Sequence, residues 1–231
     1  MCWSAEADLV MGSAITAVGI ASVASVRRIN DLPMAMLPVI LGAHQLVEAV
    51  VWKGERGAVS AGTAEIAREV WAVIAFPLLP AFVPLAVVAA QWPLKRGRER
   101  VRAACFVVLG LVVAGALGHA LASRPVNAEI CGNTVRYSVG IPGAPWVIAG
   151  YLVATLGSLL LARDRLLRFL GLVCAIGAAV TMRLWFHSFA STWCAVAAAA
   201  SVIVLWWVRS RRDLPPGGPG HRHGPVSQLV S

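Results

Sequence analysis

The chain has 231 residues, of which 58% are hydrophobic and 13% charged, with a formal net charge of +9. Soluble domains carry about 25% charged residues, so this chain lacks the polar groups to cover a globular surface. That disfavours a water-soluble enzyme, an extended nucleic-acid binder and a disulfide-stapled secreted domain, and the mean hydropathy of +0.75 points to a bilayer.

Seven apolar runs follow in chain order, at about 8–26, 33–52, 70–91, 103–122, 145–162, 169–187 and 189–208. Each approaches the length that spans ~30 Å of hydrocarbon at ~1.5 Å per residue. They predict an all-α integral membrane protein: a seven-helix bundle over 1–208 followed by a disordered tail over 209–231. The tail, RRDLPPGGPGHRHGP onward, has the Pro/Gly composition of disorder.

Basic residues alternate across these runs. Arg27 and Arg28, the five from Lys95 to Arg102, then Arg163, Arg165, Arg168, Arg209, Arg211, Arg212 and Arg222 fall on one side, fourteen in all. The other side holds Lys53, Arg56, Arg68, Arg124 and Arg136. The positive-inside rule puts the first set in the cytoplasm, with the N-terminus outside and a multi-pass chain in the cell membrane. Orientation therefore explains the positive charge, and no nucleic-acid partner is implied.

No basic region precedes the first run, which argues against a cleaved signal. Pro77, Pro80 and Pro84 predict a kink or break in the third helix, opening a gap beside its neighbours. The stretch 123–144 reads as the longest outer loop. Cys105 and Cys174 read as small buried apolar residues. Cys2, Cys131 and Cys194 fall at the outer end, where two of them could form a disulfide.

Charged groups inside spans are costly and so informative. In GAHQLVEAVVW, His44 and Glu48 share a helix face at i,i+4, with Gln45 beside them. His119 and His187 fall at the same outer depth, as do Asp8 and Glu69 at the starts of the first and third helices. Arg183 lies one turn below His187, and a pairing with Glu48 would make the whole set a structural lock between helices. The alternative is a site. Trp3, Trp52, Trp71, Trp146, Trp185 and Trp193, with Phe186, cluster at this end. They read either as an interfacial belt or as rings that stabilise a cation within a binding cavity.

Lys53 and Lys95, the only lysines, lie in loops, so no span offers a Schiff-base lysine; no GxSxG, P-loop or dinucleotide fingerprint occurs. A buried carboxylic acid kept neutral could instead protonate an alkene. Glu48 is the first candidate, with Asp8 and Glu69 as alternative acids. His44 or Gln45 would orient the acid, and His119 or His187 would take the final proton. A lipophilic prenylated substrate would enter from the membrane lipid.

The opening MCWSAEADL, the stretch GAHQLVEAVVW and the seven-helix plan resemble actinobacterial integral-membrane terpene cyclases of farnesylated indole or diketopiperazine compounds, and related uncharacterised bacterial seven-helix proteins. The resemblance implies cyclisation begun by protonation, with no cofactor and no metal-bound diphosphate; no DDxxD or NSE-like motif occurs. Two other readings of the same residues stand beside it. One is a seven-helix zinc hydrolase of lipid amides or esters, with His44, Glu48, His119 and His187 as ligands. The other is a membrane protein that binds a ligand without chemistry.

Overall fold

The computed structural model describes residues 4–94, 97–132, 134–141, 143–184 and 189–211. Of the described residues, 81% are helical. The helices are α1 (Ala5–Ala24), α2 (Leu32–Glu55), α3 (Ala61–Ala90), α4 (Gly97–Ser123), α5 (Ala144–Leu160), α6 (Arg165–Leu184), α7 (Phe189–Ala200) and α8 (Val202–Ser210). Strands β1 (Asn127–Cys131) and β2 (Thr134–Ser138) lie between α4 and α5. Among the described residues, six helical stretches are long and apolar enough to cross a membrane, which marks a multi-pass membrane protein; α5 is a shorter apolar helix.

Local chemistry sets the ends. Ser4 caps α1 by accepting from the Ala7 N–H at 3.1 Å, and Ser60 caps α3 by accepting from Thr63 N–H at 3.2 Å. α1 and α2 then pack antiparallel at very short range. A side chain at Gly12 would meet Leu46, and one at Gly19 would lie 2.5 Å from the Val39 amide nitrogen. Small residues that let two backbones approach are how helices associate where lipid removes the hydrophobic drive. This register carries Asp8 to the level of the turn Glu48–Trp52.

The third helix does not break at its prolines. It continues through a π-helical turn at Ile74–Leu78. The Leu79 N–H donates to the Ile74 carbonyl, five residues back, and the residue five beyond Ala75 is Pro80, which has no N–H. The Ala75 carbonyl is thereby left without a helical donor, and the Tyr151 hydroxyl donates to it at 2.9 Å. α5 carries a second π turn at Val153–Gly157, where Thr155 Oγ1 donates to the Tyr151 carbonyl at 2.8 Å. At the π turn the prolines leave a hydrogen-bonded joint between α3 and α5. Tyr151→Phe is expected to lower stability by about 1–3 kcal/mol, the cost of leaving a buried acceptor unmade. Thermal unfolding in detergent measures it, and an unchanged midpoint would remove the joint's importance.

The stretch expected as an outer loop folds as an antiparallel hairpin. Ala128 pairs with Tyr137 and Ile130 with Val135 on one face; Glu129 opposes Arg136 on the other. Gly132, with φ of 62°, supplies the left-handed turn residue. The apolar face lands on the helix ends where α2 finishes and α3 begins, and Ala128 and Val135 there join a cluster with Ala5, Val51, Trp52, Ala67, Trp71, Ala72, Ala75 and Cys194.

At the opposite end Arg211 is the clasp. It donates to Asp31 Oδ2 at 3.2 Å, to Asp164 Oδ2 at 3.4 Å and to the Ala90 carbonyl at 3.2 Å, and its guanidinium lies 4.9 Å from the Trp207 ring. The final helix therefore runs past the expected end at 208, and Arg209–Arg211 belong to the bundle. Residues 212–231 of the expected tail lie outside the described residues.

Candidate functional site

Along α2, Leu37, Leu41, His44 and Glu48 recur at intervals of four, three and four, which places them on one face. Asp8, His44, Gln45, Glu48 and Trp71 have no exposed surface, and Trp52 is 1% exposed. The Trp71 indole Nε1–H donates to Glu48 Oε2 at 3.3 Å. The His44 ring lies 4.9 Å from the Trp71 ring, and Tyr137 stacks on Trp71 at 3.4 Å with the planes 5° apart. Phe76 meets the same indole edge-on. The hairpin thus sits over the buried acid and imidazole, with Tyr137 as its contact.

Neither ring nitrogen of His44 has a hydrogen-bond partner among the described residues. Histidine is seldom left so in an apolar interior, because a buried polar group without a partner costs ~1–3 kcal/mol. An indole N–H can only donate, so Oε2 of Glu48 accepts, and a proton on this carboxyl belongs on Oε1.

Further along the same face of α2 lies a partly open apolar cavity, ≈ 480 Å³ when the space at its mouth is counted. Leu37, Leu41, Tyr151, Trp193, Cys174 and Cys194 are among its lining residues. Trp193 is fixed by Nε1–H donation to the Cys174 carbonyl at 3.3 Å, and it meets Tyr151 edge-on at 5.5 Å. Cys194 both lines the cavity and belongs to the cluster around Trp52 and Trp71, so it stands between the polar group and the cavity.

The residues singled out from sequence divide accordingly. His44, Glu48 and Trp71 come together, Asp8, Gln45 and Trp52 are buried, and Trp193 lines the cavity. Glu69 and His119 are exposed, and Trp146 is 85% exposed. Glu69 lies two residues from buried Trp71, and His119 two from buried Leu117; such positions point to opposite sides of a helix. Trp3, Trp185, Phe186 and His187 lie outside the described residues, as does Cys2.

Arg183 is exposed and does not share Glu48's buried environment, so the lock expected between them is replaced by the Trp71–Glu48 hydrogen bond. Cys131 and Cys194 are free thiols, which removes the disulfide between these two, and Cys105 is exposed rather than buried. Among the described residues no three His, Cys, Asp or Glu side chains converge as a metal set; His119 is turned away from His44 and Glu48.

Sequence reading missed Tyr137 and Tyr151. They are the chain's two tyrosines, and both touch this region, one through its ring and one through its hydroxyl. Their rarity in so apolar a chain was the available signal. The alternation of Ala128, Ile130, Val135 and Tyr137 around Gly132 was the signal for the hairpin.

No curated protein and no solved structure matches the chain. Residues 1–217 match the model of a family described as "Family of unknown function (DUF6629)", and a match over nearly the whole chain means that the protein belongs to that family.

Proposed function

We propose that the protein is an enzyme of the cell membrane that protonates an alkene of a prenylated, lipophilic substrate and guides carbocation cyclisation without ionising a diphosphate. One observation carries the reading: a carboxyl group with no exposed surface, Glu48, is held by an indole N–H, and Cys194 connects its surroundings to an apolar cavity whose wall includes Tyr151 and Trp193. In its acid form this carboxyl can deliver a proton to a substrate held in the cavity. The resemblance of MCWSAEADL and GAHQLVEAVVW to membrane terpene cyclases supports the same chemistry.

The step balances without a cofactor. Glu48 transfers its Oε1 proton to an alkene carbon; the π electrons form the new C–H bond and leave a tertiary cation. The resulting carboxylate keeps the Trp71 hydrogen bond. A second alkene attacks the cation to close a ring, and aromatic faces stabilise the migrating charge by up to ~2 kcal/mol each. Loss of a proton to His44 ends the sequence; His44 releases that proton to water and Glu48 takes one from water before the next turnover, so substrate and product are isomers.

In this reading the bundle has seven spans, because α5, at 17 residues, is about 25 Å long and at the lower limit for crossing. Seven spans put the termini on opposite sides, and the fourteen basic residues put the C-terminus in the cytoplasm.

The test is solvent isotope incorporation. Purified protein in lipid, given a farnesylated indole or diketopiperazine in D2O, is expected to yield a cyclised isomer with one non-exchangeable deuterium. Absence of an isomeric product, or a product without deuterium, would overturn the reading. A product of hydrolytic cleavage would assign the site to the hydrolase class instead.

A further inference from the structure

A groove at the opposite end of the molecule from Glu48 has the makings of a second binding site. It runs between the end of α3, the start of α4 and the end of α5, with ≈ 360 Å³ of space between atoms. Pro84, Val88, Phe106 and Leu161 form part of its apolar wall, and Arg102 and Arg163 stand on its border.

The mouth is built by specific bonds. The Arg163 backbone N–H donates to Gln91 Oε1 at 2.8 Å, and its Nη1 pairs with Glu99 Oε2 at 3.0 Å. Gln91 is itself fixed by Nε2 donation to the Val87 carbonyl at 3.1 Å. Arg100 donates from Nε to the Leu94 carbonyl at 3.2 Å. Arg163 is thereby held in place with further donors to offer, since a guanidinium has five. Arg102 is exposed and has no ion-pair partner among the described residues. Arg98 in the first turn of α4, with Arg165 and Arg168 in that of α6, adds positive charge at the same end, where Glu99 is paired with Arg163 and both Asp31 and Asp164 with Arg211.

We infer that this groove binds an anionic phospholipid, its phosphate between Arg102 and Arg163 and an acyl chain along Pro84, Val88, Phe106 and Leu161. Charge complementarity selects the headgroup. The apolar wall selects a lipid over a soluble anion, because burying a chain contributes ~0.8 kcal/mol per CH₂. Shape has a cause too: Gly157 lets the Phe106 ring press against α5, since a side chain there would lie 2.7 Å from Cε1. α4 is thus seated against α5 at the edge of the groove.

The experiment uses the full chain in phosphatidylcholine nanodiscs doped with phosphatidylglycerol. Retained phosphatidylglycerol is measured by native mass spectrometry after release into detergent. Arg102→Gln and Arg163→Gln are each expected to weaken retention about fivefold, from the contribution of one basic residue to anionic-lipid binding. Ala103 also lines the groove, and Ala103→Trp, which keeps every charge and fills the groove, is expected to abolish retention. Arg168→Gln, outside the groove, is expected to change little. Full retention by Ala103→Trp, an equal loss in Arg168→Gln, or displacement of the lipid by inorganic phosphate alone would each overturn the proposal. The first outcome removes the groove, the second leaves only diffuse charge, and the third a free-anion site.

Discussion

Glu48→Gln is expected to give a folded protein whose turnover falls by at least the 10²–10⁴-fold that a positioned general acid typically contributes. The substitution preserves shape. The Gln carbonyl oxygen can still accept from Trp71 Nε1–H, now 3.3 Å from Oε2, so the link between α2 and α3 survives. The amide N–H, however, is far too weak an acid to protonate an alkene. Trp71→Phe separates the two roles: it keeps an aromatic ring for Tyr137 to stack on but removes the hydrogen bond, worth about 0.5–1.5 kcal/mol between neutral partners. Its turnover should fall between wild type and Glu48→Gln. Product formation at saturating substrate, with thermal midpoints measured in parallel, distinguishes loss of chemistry from loss of fold. Full activity in Glu48→Gln would remove Glu48 as the acid.

Gly110→Val should produce the largest structural effect. Pro84 has no N–H for the Pro80 carbonyl to bond, and the Gly110 backbone packs against that carbonyl oxygen, so any side chain at 110 would collide with it. The obstacle is backbone, with no rotamer to yield, and a cost at or above the ~1–3 kcal/mol usual for overpacking is expected. Gly115→Val is the control. It lies on the same helix, but a side chain there meets nothing within 4 Å. A large fall in thermal midpoint for Gly110→Val alone would establish the contact, and equal behaviour of the two variants would dismiss it.

Hydropathy and charge were enough to locate the helices, because a bilayer demands long apolar runs and the lone polar residues within them are conspicuous. Asp8, His44, Gln45 and Glu48 were legible for that reason. Sequence depth, however, does not say which way a side chain faces. Glu69 and His119 share the outer level with Glu48, yet they project away from the bundle. The Trp71–Tyr137 stack was illegible for a different reason: it joins a helix to a hairpin distant in sequence, and the hairpin's short alternating pattern is faint beside the apolar runs. The prolines of α3 announced an irregularity, but only the position of Tyr151 determined that the helix would be mended rather than broken.

That mended turn also settles the helix's phase. Eight residues separate Trp71 from Leu79, and at about 100° per residue an uninterrupted α-helix would set them about 80° apart. A π turn absorbs one residue with no net rotation of the surface beyond it, which reduces the offset to about 20°. Trp71 against Glu48 and Leu79 on the cavity wall can therefore both face inward from a single helix. The extra residue in Ile74–Leu78 works as a phase correction, aligning an acid-binding upper half with a cavity-forming lower half.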